Sequence, residues 1–157
     1  DEPFAVAVPA THPLAKLKAI HAEELKKETM LLLGNGHCFR DHVLEVCPEF
    51  ARFSSNAEGI RKSFEGSSLE TIKHMVAASM GVTVVPQLSV PRELLDAKGH
   101  IKTKEHSGFV KYIPFAGEPP TRRVVLAWRR SFTRFEAIAA LRNAVYACAL
   151  PGVRRLT

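Results

Sequence analysis

Three short runs constrain this chain most: Phe4-Ala5-Val6-Ala7-Val8, Met30-Leu31-Leu32-Leu33 and Val82-Thr83-Val84-Val85. Each is too short for a helix and is closed by Pro9, Gly34 or Pro86, so each reads as a strand. The segments between them carry helical spacing. Leu69, Ile72, Val76 and Met80 share one face behind Ser67-Ser68-Leu69-Glu70, which reads as a capping box, and Gly81 reads as the stop. Thr133 and Glu136 read as a second box ahead of a final helix, whose stripe is Ile138, Leu141, Val145 and Cys148. Residues 110–115 and 124–128 read as further strands and 23–27 as helical. Residues 48–66 read as loop, with a possible strand at 60–64. Alternating strands and helices predict an α/β fold with a largely parallel sheet.

A chain of 157 residues suits one medium domain or two small lobes. Its 46% hydrophobic and 24% charged residues are ordinary for a globular protein, and no stretch approaches the roughly 20 apolar residues of a membrane helix. The chain opens on Asp1 and enters a strand almost at once, as a fragment of something longer would. Three cysteines argue against a secreted disulfide framework and for a reducing, cytoplasmic setting. The formal charge is +6, but Arg122, Arg123, Arg129, Arg130 and Arg134 form the one dense basic group. With no aromatic interleaving it reads as a solvated surface, so nucleic-acid binding by this chain is not expected.

The chemistry concentrates in residues 34–47. Cys38 follows the turn Gly34-Asn35-Gly36 and opens a segment that reads as a short helix stopped by Pro48. A thiol there sits near unpaired backbone N–H groups and the positive end of the helix dipole, which favour the thiolate. His37 and Arg40 can add positive charge. Cys47, nine residues on, can capture an oxidised Cys38, so the pair reads as redox-active. His37, Cys38, Asp41 and His42 hold metal-ligand atoms, but adjacent His37 and Cys38 diverge on a helix, so no metal or other cofactor is expected. No local signature supports a cysteine protease. Cys148 reads as a core residue and His100 and His106 as loop residues. Ser67 and Ser68 could hold a small anion at a helix start, although plain capping explains them as well.

Several motifs resemble the effector-binding region of LysR-type transcriptional regulators: Val6-Ala7-Val8 with His12-Pro13-Leu14-Ala15, then Ser68-Leu69-Glu70-Thr71-Ile72, then residues 81–86. Gly36-His37-Cys38-Phe39-Arg40-Asp41 with Cys47 is similar to the hydrogen-peroxide-sensing members of that family. The resemblance implies a periplasmic-binding-protein-like, two-lobed regulatory domain. Residues 1–122 would be its second lobe, and 123–157 a strand and helix returning to the first. It also implies that Cys38 is the peroxide-reactive thiol and Cys47 the resolving one, supported by Gly36, His37, Phe39, Arg40, Asp41 and Arg123. Self-association, RNA polymerase and a glutaredoxin-type reductant are the implied partners, with DNA contacted only through an N-terminal domain absent here. Two further readings stay open: an ordinary effector domain binding a small carboxylate at Ser67 and Ser68, and a peroxide-consuming thiol enzyme.

Overall fold

The computed structural model describes residues 1–53 and 63–156. Its centre is β1 (Glu2–Pro9), in which Phe4 to Pro9 is buried throughout, as expected of a strand covered on both faces. β4 (Thr83–Pro86) and β5 (Val110–Pro114) flank it, and the two-residue β6 (Thr121–Arg122) pairs its first residues. All three partners run antiparallel to β1, with Val6 opposite Val84 on one side and Ile113 on the other. The expected parallel arrangement holds for β2 (Met30–Leu33) and β3 (Ser63–Gly66), which pair Leu32 with Glu65. The reason for the difference is simple: an apolar run reports burial, not strand direction.

Val82 joins the two sheets. Its N–H donates to Thr29 O at 2.9 Å, its carbonyl accepts from Leu31 N at 2.8 Å, and the Thr83 hydroxyl donates to Leu31 O at 2.7 Å. Gly81 makes that approach possible, because a Cβ there would stand 2.4 Å from Thr29 O. Gly81 does not end the preceding helix, as the sequence suggested. α3 (Leu69–Ala77) stops four residues earlier, followed by Ser79 at a φ of 60°.

At the other end of α3, Ser68 Oγ accepts from Thr71 N at 3.1 Å. The expected capping box is incomplete: Thr71, not Glu70, occupies the third position, and Glu70 pairs with Lys73 at 2.8 Å instead. α3 buries Ile72 and Val76 in the core, each side chain contributing about 1.5–3 kcal/mol. Met80, beyond the helix, is exposed.

α1 (Cys38–Val46) follows β2, and α2 (Glu49–Phe53) occupies part of the stretch expected to be loop. Residues 60–62 of the possible strand lie outside the described residues. Ala22–Lys27 is a 3-10 helix.

The C-terminal part departs most from expectation. Residues 124–128 form no strand, since no neighbouring strand among the described residues offers them backbone partners. α4 (Phe135–Ala147) starts at Arg134 without a side-chain cap, so the expected Thr133–Glu136 box does not form. None of its residues is buried. Cys148 caps its C-terminus and is exposed, which corrects its reading as a core thiol. The stripe exists, but none of it is buried: Ile138 is half-buried and Leu141, Val145 and Cys148 are exposed.

Candidate functional site

Residues 34–37 turn the chain from β2 into α1, with Gly36 at a φ of 93°, a left-handed conformation that glycine adopts without strain. His37 is the extended N-cap and supplies no side-chain cap, leaving the first turn of α1 open around Cys38. Cys38, His37 and Asp41 are exposed. A reagent arriving from solvent therefore meets a free thiol at the N-terminal end of a helix, where backbone N–H groups can stabilise developing negative charge.

Cys47 is the opposite in every respect. It caps the far end of α1, its N–H donating to Val43 O at 2.9 Å, and its exposure is 0%. Burial, reinforced by the carboxylates of Glu49 and Glu23, pushes its thiol up to about 12. Both cysteines are free. The helix keeps them about 13 Å apart, at about 1.5 Å per residue, whereas a disulfide needs Cα atoms within about 7 Å.

The apolar side of α1 is held by Phe39 and Val43, both buried. The Phe39 ring meets Phe4 of β1 edge-on, with centroids 5.2 Å apart. Arg40 lies on another face: Nη1 donates to Leu33 O at 2.8 Å and pairs with Glu65 Oε1 at 2.9 Å. Residues two apart on a helix point about 200° away from each other, so a basic group at Arg40 is directed toward the β2–β3 edge, not along Cys38's face. His42, four residues after Cys38, is half-buried and stands 6.5 Å from the Phe39 ring. Together with Glu45 and Val46 it lines an open cleft of about 500 Å³ along the flank of α1.

The arginine pair before residue 124 divides its work. Arg123 donates to both oxygens of Asp1, at 2.8 and 3.2 Å, and Arg154 joins it there at 2.9 Å. Arg122 is the member that reaches α1. Its guanidinium lies 5.4 Å from the Phe39 ring centroid, while Nε donates at 2.7 Å to the buried carboxylate of Glu2. Glu2 in turn accepts from Leu88 N at 2.9 Å. Sequence reading singled out neither Arg122, Glu2 nor Glu65 for this site, because each arrives from a distant strand. His42 was within its reach, since i and i+4 share a helix face.

Elsewhere, Ser68 has its hydroxyl engaged with Thr71 as described, which is the capping role. Among the described residues no group of three or more His, Cys, Asp and Glu is placed to hold a metal ion. No helix among them is long and apolar enough to cross a membrane.

Comparisons with known proteins bear on the same architecture. Residues 1–147 match the LysR substrate binding domain. The hydrogen peroxide-inducible genes activator of Pectobacterium carotovorum subsp. carotovorum is 36% identical over 129 residues, 82% of this chain and 37% of that protein. A reduced form of OxyR from N. meningitidis superposes with a TM-score of 0.78 at 36% identity, over 99% of this chain and 66% of that one. The oxidized form of OxyR gives a TM-score of 0.52 at 31% identity, over 76% and 48% of the two chains. The chain spans less than half the length of the curated relatives it matches. It belongs to the LysR substrate-binding-domain family, with a periplasmic-binding-protein-like fold, and is similar to OxyR regulatory domains and hydrogen peroxide-inducible activators.

Proposed function

We propose that this chain is the redox-sensing part of a peroxide-responsive transcriptional regulator, with Cys38 as sensor and Cys47 as resolving thiol. The observation that carries the reading is the pair of unlike thiols at the two ends of one helix, one exposed and one buried. The Cys38 thiolate attacks one oxygen of hydrogen peroxide, forming an S–O bond and breaking the O–O bond. The departing hydroxide takes a proton and leaves as water, and Cys38 becomes a sulfenic acid. Cys47 then attacks the Cys38 sulfur, the S–S bond forms, and the sulfenic oxygen leaves as a second water. Two electrons pass from the thiols to one peroxide.

Cys47 cannot act from where it lies, because it is buried, protonated and a helix length away. The second step requires α1 to unwind and Phe39 and Val43 to leave their packing. Oxidation thereby becomes a rearrangement of surface, which is what a regulator has to transmit to a partner subunit. The likeness in fold to the reduced form of a relative agrees with the free, separated thiols.

In this reading residues 1–122 belong to the second lobe, and 123–157 return to a first lobe built from upstream sequence, which would cover α4. DNA contact would lie in an upstream domain. Self-association, RNA polymerase and a glutaredoxin-type reductant are the partners, and the protein works in the cytoplasm. It is a sensor, not an enzyme, because one turnover suffices to signal.

Titrating the reduced protein with peroxide and counting thiols tests this. The expected outcome is loss of two thiols per chain, Cys38 and Cys47, for each peroxide consumed. Unchanged thiols would sink the sensor reading, and sustained peroxide consumption with added reductant would make the protein an enzyme.

A further inference from the structure

We infer that Glu65 is a positioning residue that sets how oxidising the surroundings must be before the Cys38–Cys47 switch is thrown, by clamping Arg40 and hence α1 to the β2–β3 edge. The inference rests on the proposed thiol switch and adds to it a residue that takes no part in the thiol chemistry.

Arg40 is the only buried cation among the buried polar and charged residues described. It sits two residues into the helix that must unwind. Its two anchors, Leu33 O and Glu65 Oε1, lie at 2.8 and 2.9 Å, at the ends of β2 and β3. Those ends are rigidly paired: Leu33 faces Gly66 in the parallel register, and Gly34 N donates to Gly66 O at 3.1 Å. A Cβ added at Gly34, where the turn leading to Cys38 begins, would stand 4.0 Å from the other Glu65 oxygen.

Glu65 thus holds Arg40, the second residue beyond Cys38. A buried guanidinium is tolerated because a carboxylate compensates it, and removing that partner leaves a charge short of solvation. Glu65 is itself 48% exposed, which reduces the penalty below that of a fully buried pair. The compensation exists only while Arg40 stays in its slot, so it favours the helical, reduced form alone. When α1 unwinds, Arg40 regains water and no longer depends on Glu65. Deleting the carboxylate therefore raises the free energy of the reduced form more than that of the oxidised form. The disulfide becomes easier to form and harder to reduce.

Equilibrating the intact protein with mixtures of reduced and oxidised dithiothreitol tests this. Here two thiols of the reagent are exchanged for the protein's disulfide. Glu65→Gln is expected to raise the disulfide-to-dithiol ratio about tenfold at a fixed mixture, a potential about 30 mV more negative. The rate constant for the first reaction of Cys38 with peroxide should stay within about twofold, since Glu65 acts on the helix and not on the sulfur. An unchanged ratio in folded Glu65→Gln protein overturns the inference. So does a change in the peroxide rate alone, which would make Glu65 part of the thiol's own surroundings. If the variant does not fold, the wild type decides: raising salt from about 0.05 to 1 M screens the half-exposed pair and should shift the ratio in the same direction. A ratio independent of salt then overturns the inference. Failure of the wild type to form a Cys38–Cys47 disulfide at all would instead reject the switch, which separates the two failures.

Discussion

α1 and α4 each carry an exposed cysteine at one end, yet they stand in opposite relations to the rest of the molecule. α1 has nine residues and buries Phe39, Arg40 and Val43; α4 has thirteen and buries none. α1 is tied to β1 through Phe4, to β2 through Leu33 and to β3 through Glu65. α4 leaves Phe135, Leu141, Val145 and Tyr146 exposed beside the exposed Val124, Val125 and Trp128. An apolar stripe predicts a helix with a face, but packing within the same chain decides whether that face does anything. Of these two helices, α1 alone has buried residues whose packing a rearrangement would release.

The sharpest test of the difference is chemical. Both Cys38 and Cys148 are exposed thiols, but Cys38 lies at an open helix N-terminus, while the Cys148 sulfur faces the Ala144 carbonyl at 3.3 Å at a helix C-terminus. Cys38→Ser is expected to slow the fast phase of peroxide reaction by at least about a hundredfold, in line with losing the attacking group itself. Cys148→Ser should leave it unchanged. Stopped-flow traces in which the two variants behave alike would erase the distinction.

Next in size is packing. Phe39→Ala should destabilise the reduced protein by about 3–4 kcal/mol in urea denaturation, since it removes a buried ring from its place against Phe4 and under Arg122. A cost below about 1 kcal/mol would mean that α1 is held loosely and stores little. Hydrogen exchange across residues 39–46 sharpens the same point: protection should be present in the reduced protein and lost in the oxidised one.

The Cys47 thiol supplies a pH dependence. Its folded value lies at about 12, above the ordinary 9.0, so the folded state keeps the proton that the unfolded state gives up between those values. The stabilisation from a buried, protonated thiol is thus complete below about pH 9 and falls as pH rises toward 12. Cys47→Ala should therefore lose less stability than the wild type across that window in thermal melts. Parallel curves would show that the thiol is not buried as it stands here.

These two helices also measure what could be read in the residues alone. The strands at β1, β2, β4 and β5 and the helices α1, α3 and α4 announce themselves, because periodicity and Pro or Gly stops are local signals. Strand direction does not: β1 pairs antiparallel with both neighbours although strands and helices alternate. The placement of Cys38 and Cys47 at the two ends of α1 is equally local and was legible. Its surroundings were not, since Arg122, Glu2 and Glu65 come from elements far away in sequence. Arg40 is the instructive case. Its nearness to Cys38 along the chain suggested a shared space, whereas the helical angle between i and i+2 turns it to the other side, where Glu65 waits.

Leu141 sits midway along α4 and is 54% exposed, so truncating it removes little buried surface. In the 157-residue chain Leu141→Ala should change unfolding free energy by no more than about 0.5 kcal/mol, the range of ordinary surface substitutions. In a longer protein whose upstream sequence covers this face, the same substitution should cost about 2–5 kcal/mol, as for a buried leucine. Denaturation of both proteins with and without the substitution decides the matter. A large cost in the short chain would mean that α4 finds cover within it, by self-association or by packing on its own body. An equally small cost in the longer protein would mean that nothing upstream meets α4, and the proposed return of residues 123–157 to a first lobe would fall.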